Sequence, residues 1–385
     1  MTRREIPIQP EYIEIEAHRF CNIWLRDHCL CEECRDRDSL QKKRSPTSVP
    51  RRPAIGEAFR DGNEISIRWS EAPIHQSVFH TQWLLAHAPA AAERPNVQTS
   101  AWQVRENRIL WDRGLLNNEF PSFDVATASF GEWSERLAQY GFVVLHGLTH
   151  STFESFMAEI GPIFETEYGK THPSIAVQHD HIPDLSMTSD AMLVHTDSTF
   201  RETQRLVQCL FAVQNETGGG ESTVVDGFRV AEELRRWHPE AFRLLCSVPV
   251  DFVQLNTDKR YLFSHSTPIF ALDSASSELR SVYFSDKNTS LSVGDSQVAK
   301  FYDAYRLLVD MLVDPKFVIR FRLRSGSCLI TQNFRVLHGR DEFDARSGAR
   351  HLDICYMPWD YFVARRRFLQ FANEFRGAFS EAGRS

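Results

Sequence analysis

Apolar and polar residues alternate through Glu64-Ile65-Ser66-Ile67-Arg68-Trp69, the period of two that predicts a strand with one buried face. Elsewhere the period lengthens: apolar positions recur at helical spacing over 130–140, 151–160, 230–246 and 298–313, which predicts helices there. Gly141 stops the first of them, and Ser151 with Glu154 is spaced as a capping box for the second. Short β-rich runs at 142–145, 206–213, 221–225, 281–284, 317–323 and 328–331 predict further strands. Many short strands and a few helices, with no regular strand–helix alternation, predict a mainly β fold with flanking helices. That is a β-sandwich or jelly roll, not a doubly wound sheet.

The pattern breaks between Ala88 and Phe123, a stretch rich in Pro, Asn and small residues of the kind that connects packed units. The expected organisation is a small β-rich domain over 1–100 and a larger domain over 115–385. Composition agrees: 385 residues, 42% hydrophobic and 25% charged, make an ordinary globular balance. The net charge of −7 leaves no basic surface for nucleic acid or an anionic membrane. Lys42-Lys43-Arg44 and Arg365-Arg366-Arg367 read as solvated faces. No apolar stretch reaches the ~18 residues of a membrane span. The amino terminus lacks an apolar secretory core and is too acidic for a transit peptide, so the expected location is the cytoplasm. There Cys209, Cys246, Cys328 and Cys355, scattered among apolar neighbours, serve as small buried hydrophobes. The crowded Cys29, Cys31 and Cys34 need another explanation.

The sharpest local signal is Leu193-Val194-His195-Thr196-Asp197. On a strand, residues two apart share a face, so an imidazole and a carboxylate project together. His338, within Phe334-Arg335-Val336-Leu337-His338-Gly339-Arg340, completes a set of two His and one carboxylate. That facial arrangement leaves iron(II) open positions for a 2-oxo acid and dioxygen. His179-Asp180-His181 is a weaker competitor, beside Pro183 in a polar loop. Twelve residues beyond His338 stands Arg350, whose fork suits the far carboxylate of a dicarboxylate cosubstrate. The turn Gly218-Gly219-Gly220-Glu221-Ser222-Thr223 brings backbone and a hydroxyl toward the same place.

These segments, taken with Val224-Val225-Asp226-Gly227-Phe228 and Arg350-His351-Leu352-Asp353-Ile354-Cys355-Tyr356, resemble the γ-butyrobetaine and trimethyllysine dioxygenases of the TauD-like superfamily. The resemblance covers most of the chain. It implies a double-stranded β-helix with His195, Asp197 and His338 on iron, and Arg350 helped by Ser222 on 2-oxoglutarate. Dioxygen would oxidise 2-oxoglutarate to succinate and CO2 while an aliphatic carbon of a small amine- or ammonium-bearing acid is hydroxylated. Desaturation, cyclisation or C–heteroatom cleavage is the alternative outcome. A non-catalytic binding module would leave the triad and Arg350 unexplained, and a zinc hydrolase would leave Arg350 unexplained.

Trp24-Leu25-Arg26-Asp27-His28-Cys29-Leu30-Cys31-Glu32-Glu33-Cys34 resembles the family's N-terminal motif. It implies a closed structural zinc site of three thiolates and one imidazole. His75, following Trp69, takes the fourth position, with His28 and His80 as fallbacks. The family holds a quaternary ammonium in an aromatic cage. By the resemblance Tyr168 keeps one wall, while His172, Met187 and Asp184 stand where Trp, Tyr and Asn are expected. Phe200 is a candidate for rebuilding the cage, and Asp286 stands in a segment where the family shows Asn. Acidic groups of this kind suit a substrate that donates hydrogen bonds, such as a primary amine. The resemblance also implies a homodimer.

Overall fold

The computed structural model describes residues 3–36, 41–45, 48–88, 107–116, 119–175, 188–202, 205–257, 259–290 and 298–374. His179, Asp180, His181, Asp184 and Met187 lie outside these described residues. Two compact units form, Met1–Val104 with Arg367–Ser385, and Arg105–Arg366.

In the first unit the period of two becomes a sheet. Strand Glu64–Trp69 lies between Ile55–Asp61 and Gln76–His80, with Arg4–Glu5 at the edge. Ile65, Ile67 and Trp69 are buried while Glu64 and Arg68 face out. The buried side chains join Ile13, Phe20, Leu25, Phe79 and Trp83 in one core, each worth ~1.5–3 kcal/mol in area removed from water.

The second unit is built on two sheets. The larger runs, in spatial order, Ser122–Asp124, Phe142–His146, Ser327–Gln332, Leu206–Asn215, Arg350–Pro358 and Thr171–Ile175. The smaller runs Met192–His195, Val336–Arg340, Ser222–Asp226 and Ile319–Phe321. Ala212, Leu329 and Leu352 of the first pack with Val224 and Val336 of the second, so the sheets face each other as a double-stranded β-helix. On the outer face of the larger sheet, Val207, Cys209, Phe211, Ile330 and Met357 meet Trp133, Leu137, Phe153 and Met157 of two helices. Alternation along Leu206–Asn215 thus sends odd positions to the helices and even ones, Gln208 and Leu210, inward.

Helix Phe130–Tyr140 ends at left-handed Gly141, as the sequence predicts. Its neighbour starts at His150, and its cap is Thr149, whose N–H donates to Thr152 Oγ1 at 3.1 Å. Ser151 and Glu154 are therefore not the capping pair, because the helix begins one residue earlier than the apolar spacing suggests. The expected run over 230–246 is two helices, Gly227–Trp237 and Pro239–Ser247. Pro239 has no N–H and crowds the preceding turn, so it opens a new helix instead of continuing the old one. A hairpin of Val250–Asn256 and Tyr261–Thr267 follows, which the sequence reading did not single out.

Candidate active site and a buried cysteine–histidine centre

His195 ends its strand directly opposite His338, with ring centroids 4.6 Å apart. Gly339 makes this close pairing possible. A Cβ there would lie 2.6 Å from Met192 O and 2.8 Å from Thr223 Oγ1. Asp197 is not on the strand, which stops at His195; it opens the turn that follows. Two contacts hold it there instead of sheet pairing. Asn333 Oδ1 accepts from the Asp197 N–H at 2.8 Å, and Asn333 Nδ2 donates to its carbonyl at 2.9 Å. The next residue, Ser198, sits in the left-handed region at φ 58°. Shared strand geometry was thus the wrong reason for an alignment that a turn provides.

The carboxylate reaches both imidazoles, His195 Nε2 at 3.4 Å and His338 Nε2 at 3.5 Å. One donor atom from each residue falls within 4.8 Å of the others. The His195 Nδ1–H donates to Leu193 O at 2.8 Å, which leaves Nε2 as the free lone pair. Burial pushes His338 down to about 4, so it is neutral at physiological pH. Burial alone would raise Asp197, but His338, His195 and the Tyr356 hydroxyl outweigh it and hold the carboxyl well below its ordinary range. Two neutral imidazoles and one carboxylate are the forms in which these groups bind a metal. The donor set fits iron(II).

Arg350 fits the cosubstrate. It is buried, its Nε has no hydrogen-bond partner among the described residues, and it lies over the Phe343 ring at 4.8 Å. Burial, with Arg340 and Arg322 nearby, pushes the guanidinium down to about 9. A buried cation among cations calls for an anion, and a carboxylate satisfies that fork. Arg340 donates to Thr188 O at 2.7 Å and Asp190 O at 2.8 Å, and it lines the same cavity as Arg350, His195, Asp197 and His338. Ser222 is buried opposite Arg340 and is not among the cavity-lining residues.

Tyr168, His172 and Phe200 also line this cavity, whereas Asp286 is exposed and does not. Tyr168 and His172 have centroids 5.5 Å apart, and His172 lies 6.2 Å from Tyr356. Asn333, Gln208, Arg340 and Lys287 escaped the sequence reading. Tyr356 was legible in principle, since Arg350, Leu352, Ile354 and Tyr356 occupy alternate positions of one strand and all line the cavity.

In the first unit, Cys29, Cys31, Cys34 and His75 converge. The three Sγ atoms lie 3.2, 3.7 and 3.6 Å from His75 Nε2. Cys29 and Cys31 hold Cys34 below its ordinary value, helped by Arg26, which donates to Cys34 Sγ at 3.5 Å and pairs with Glu71 at 2.7 Å. Four closed donors with a neutralising cation beside them fit structural zinc. His28 is turned elsewhere, onto Trp24, with Nδ1 bonded to Trp24 O at 2.9 Å. His80 is the last residue of its strand and directly precedes helix Thr81–Ala86.

Comparison with known proteins agrees with both centres. Residues 113–356 match the family described as taurine catabolism dioxygenase TauD, TfdA. Residues 8–85 match the gamma-butyrobetaine hydroxylase-like N-terminal family. Gamma-butyrobetaine dioxygenase of Pseudomonas sp. (strain AK-1) is 31% identical over 368 residues, covering 91% of this chain and 90% of the relative. Trimethyllysine dioxygenase of Meyerozyma guilliermondii is 29% identical, covering 92% of each. Gamma-butyrobetaine dioxygenase of Homo sapiens is 27% identical, covering 90% of each. The chain belongs to the TauD, TfdA family and is a 2-oxoglutarate-dependent non-haem iron dioxygenase.

Proposed function

We propose that the enzyme hydroxylates an aliphatic carbon of a small amine- or ammonium-bearing acid, releasing succinate and CO2. The observation that carries this reading is the wall of Tyr168, His172 and Tyr356 in one cavity with the triad. Ring faces attract a desolvated cation. Lys287, Asn288, Gln254 and Ser285 line the same cavity and suit the substrate's carboxylate. The named relatives act on γ-butyrobetaine and trimethyllysine, which are ammonium-bearing acids.

His195, Asp197 and His338 would hold iron(II), and Arg350 the far carboxylate of 2-oxoglutarate. Iron with its cosubstrate supplies the activation of dioxygen. The chain's own part is orientation: the wall of rings holds the cationic end, the polar group with Lys287 holds the acid, and the substrate carbon is presented to the triad in the same cavity. His172 favours a primary amine over a quaternary one, because a ring nitrogen can accept a hydrogen bond that only an N–H can donate. Asp184 and Met187 belong to this substrate proposal as well. The proposal extends to a zinc-binding domain over 1–100, a catalytic domain over 115–385 and a homodimer, which the family likeness supports, and to a cytoplasmic location. Sedimentation and cell fractionation test the last two.

The test is succinate formation from anaerobically purified enzyme given Fe(II), 2-oxoglutarate and oxygen. The panel pairs γ-butyrobetaine and trimethyllysine with their unmethylated amines, and His195→Ala is the control. Succinate stimulated by one compound and lost in the control is expected, with product mass separating hydroxylation from desaturation, cyclisation or cleavage. No succinate from iron-loaded enzyme with any compound would overturn the proposal.

A further inference from the structure

Three side chains form one polar row across the larger sheet. Gln208 is the direct strand neighbour of Thr331 on one side and of Tyr356 on the other. Thr331 Oγ1 donates to Gln208 Oε1 at 3.3 Å, and both residues are fully buried. The Gln208 amide nitrogen donates to Asp197 Oδ2 and also lies 2.9 Å from His338 Nε2. The Tyr356 hydroxyl donates to the same Asp197 Oδ2 at 2.8 Å. The orientation of the amide is set by its partners: a carboxylate only accepts, so the NH2 end must face Asp197, and the threonine then donates to the oxygen end.

We propose that Gln208, oriented by Thr331, is the positioning residue that presets the iron site. Together with Tyr356 it anchors Asp197 Oδ2, which leaves Oδ1 as the oxygen offered to the metal. The proposal rests on the assignment of His195, Asp197 and His338 as iron ligands.

The experiment titrates iron-free, zinc-loaded full-length protein with Fe(II) anaerobically by calorimetry and with Co(II) by its visible absorption, which reports coordination geometry. Gln208→Leu, Thr331→Val and Thr331→Ser are compared with wild type and His195→Ala, with melting curves for each. Gln208→Leu is expected to weaken metal affinity ~10–100-fold, the usual cost of losing an outer-shell partner, and to alter the cobalt spectrum. Thr331→Val is expected to move both readouts in the same direction, and Thr331→Ser to restore them. If Gln208→Leu fails to fold, the threonine pair decides. Wild-type affinity and spectrum in Thr331→Val or Gln208→Leu, even with a lowered melting temperature, would overturn the inference. Wild type binding no better than His195→Ala would instead overturn the iron assignment beneath it.

Discussion

Asn333 meets Asp197 through two hydrogen bonds, accepting from its N–H at 2.8 Å and donating to its carbonyl at 2.9 Å. One amide thus does for the turn what a neighbouring strand does for a ladder. Asn333→Ala is expected to leave both peptide groups of Asp197 unpaired, at a cost of ~1–3 kcal/mol in stability. It should weaken iron binding by ~10-fold or more. Urea unfolding of the iron-free, zinc-loaded protein and anaerobic Fe(II) titration check the two parts separately. Stability lost with iron affinity intact would show the clamp to be structural only.

Arg350→Lys is expected to raise the KM for 2-oxoglutarate while moving kcat much less, because an ammonium cannot replace a two-pronged fork. Loss of a charged hydrogen bond of ~1.5–3 kcal/mol corresponds to about 10–150-fold. Burial lowers the guanidinium from its ordinary value, but an arginine keeps its charge throughout the range in which proteins stay folded. Cosubstrate affinity should therefore not fall through loss of this charge as pH rises above neutrality, by direct binding measurement.

His172→Trp tests what the cavity wall recognises. A larger ring face is expected to shift preference toward trimethylated substrates, by ~2–30-fold in relative kcat/KM for ~0.5–2 kcal/mol of cation–π attraction. An unchanged ratio between methylated and unmethylated amines would remove His172 from the recognition surface.

Cys31→Ser should lose zinc and lower the melting temperature, because a closed metal site contributes its binding energy to folding. Metal analysis beside calorimetry checks this. Full zinc with an unchanged melting temperature would count against a structural metal at Cys29, Cys31, Cys34 and His75.

Much of this was legible from periodicity and donor spacing. Glu64–Trp69 announced its buried face, and His195, Asp197, His338 and Arg350 could be named because metal and carboxylate chemistry restrict the residue types that serve. What stayed hidden depends on contacts between distant segments. Nothing near Asp197 in the chain points to Asn333, and the break at Pro239 interrupts an apolar period that continues on both sides. Gln208 read as one polar residue in an apolar run, and only the register of three strands gives it Thr331 and Tyr356 as neighbours.

The alternation along that sheet also keeps two chemistries apart. Gln208, Thr331 and Tyr356 point to the triad, while Cys209, Cys328 and Cys355 lie on the opposite, helix-covered face, with Cys209 directly across from Cys355. A slip of one residue in register would exchange the faces and bring easily oxidised sulfur beside an iron that handles oxygen. Strand pairing here therefore decides which side chains share the cavity of the triad and which the helices cover.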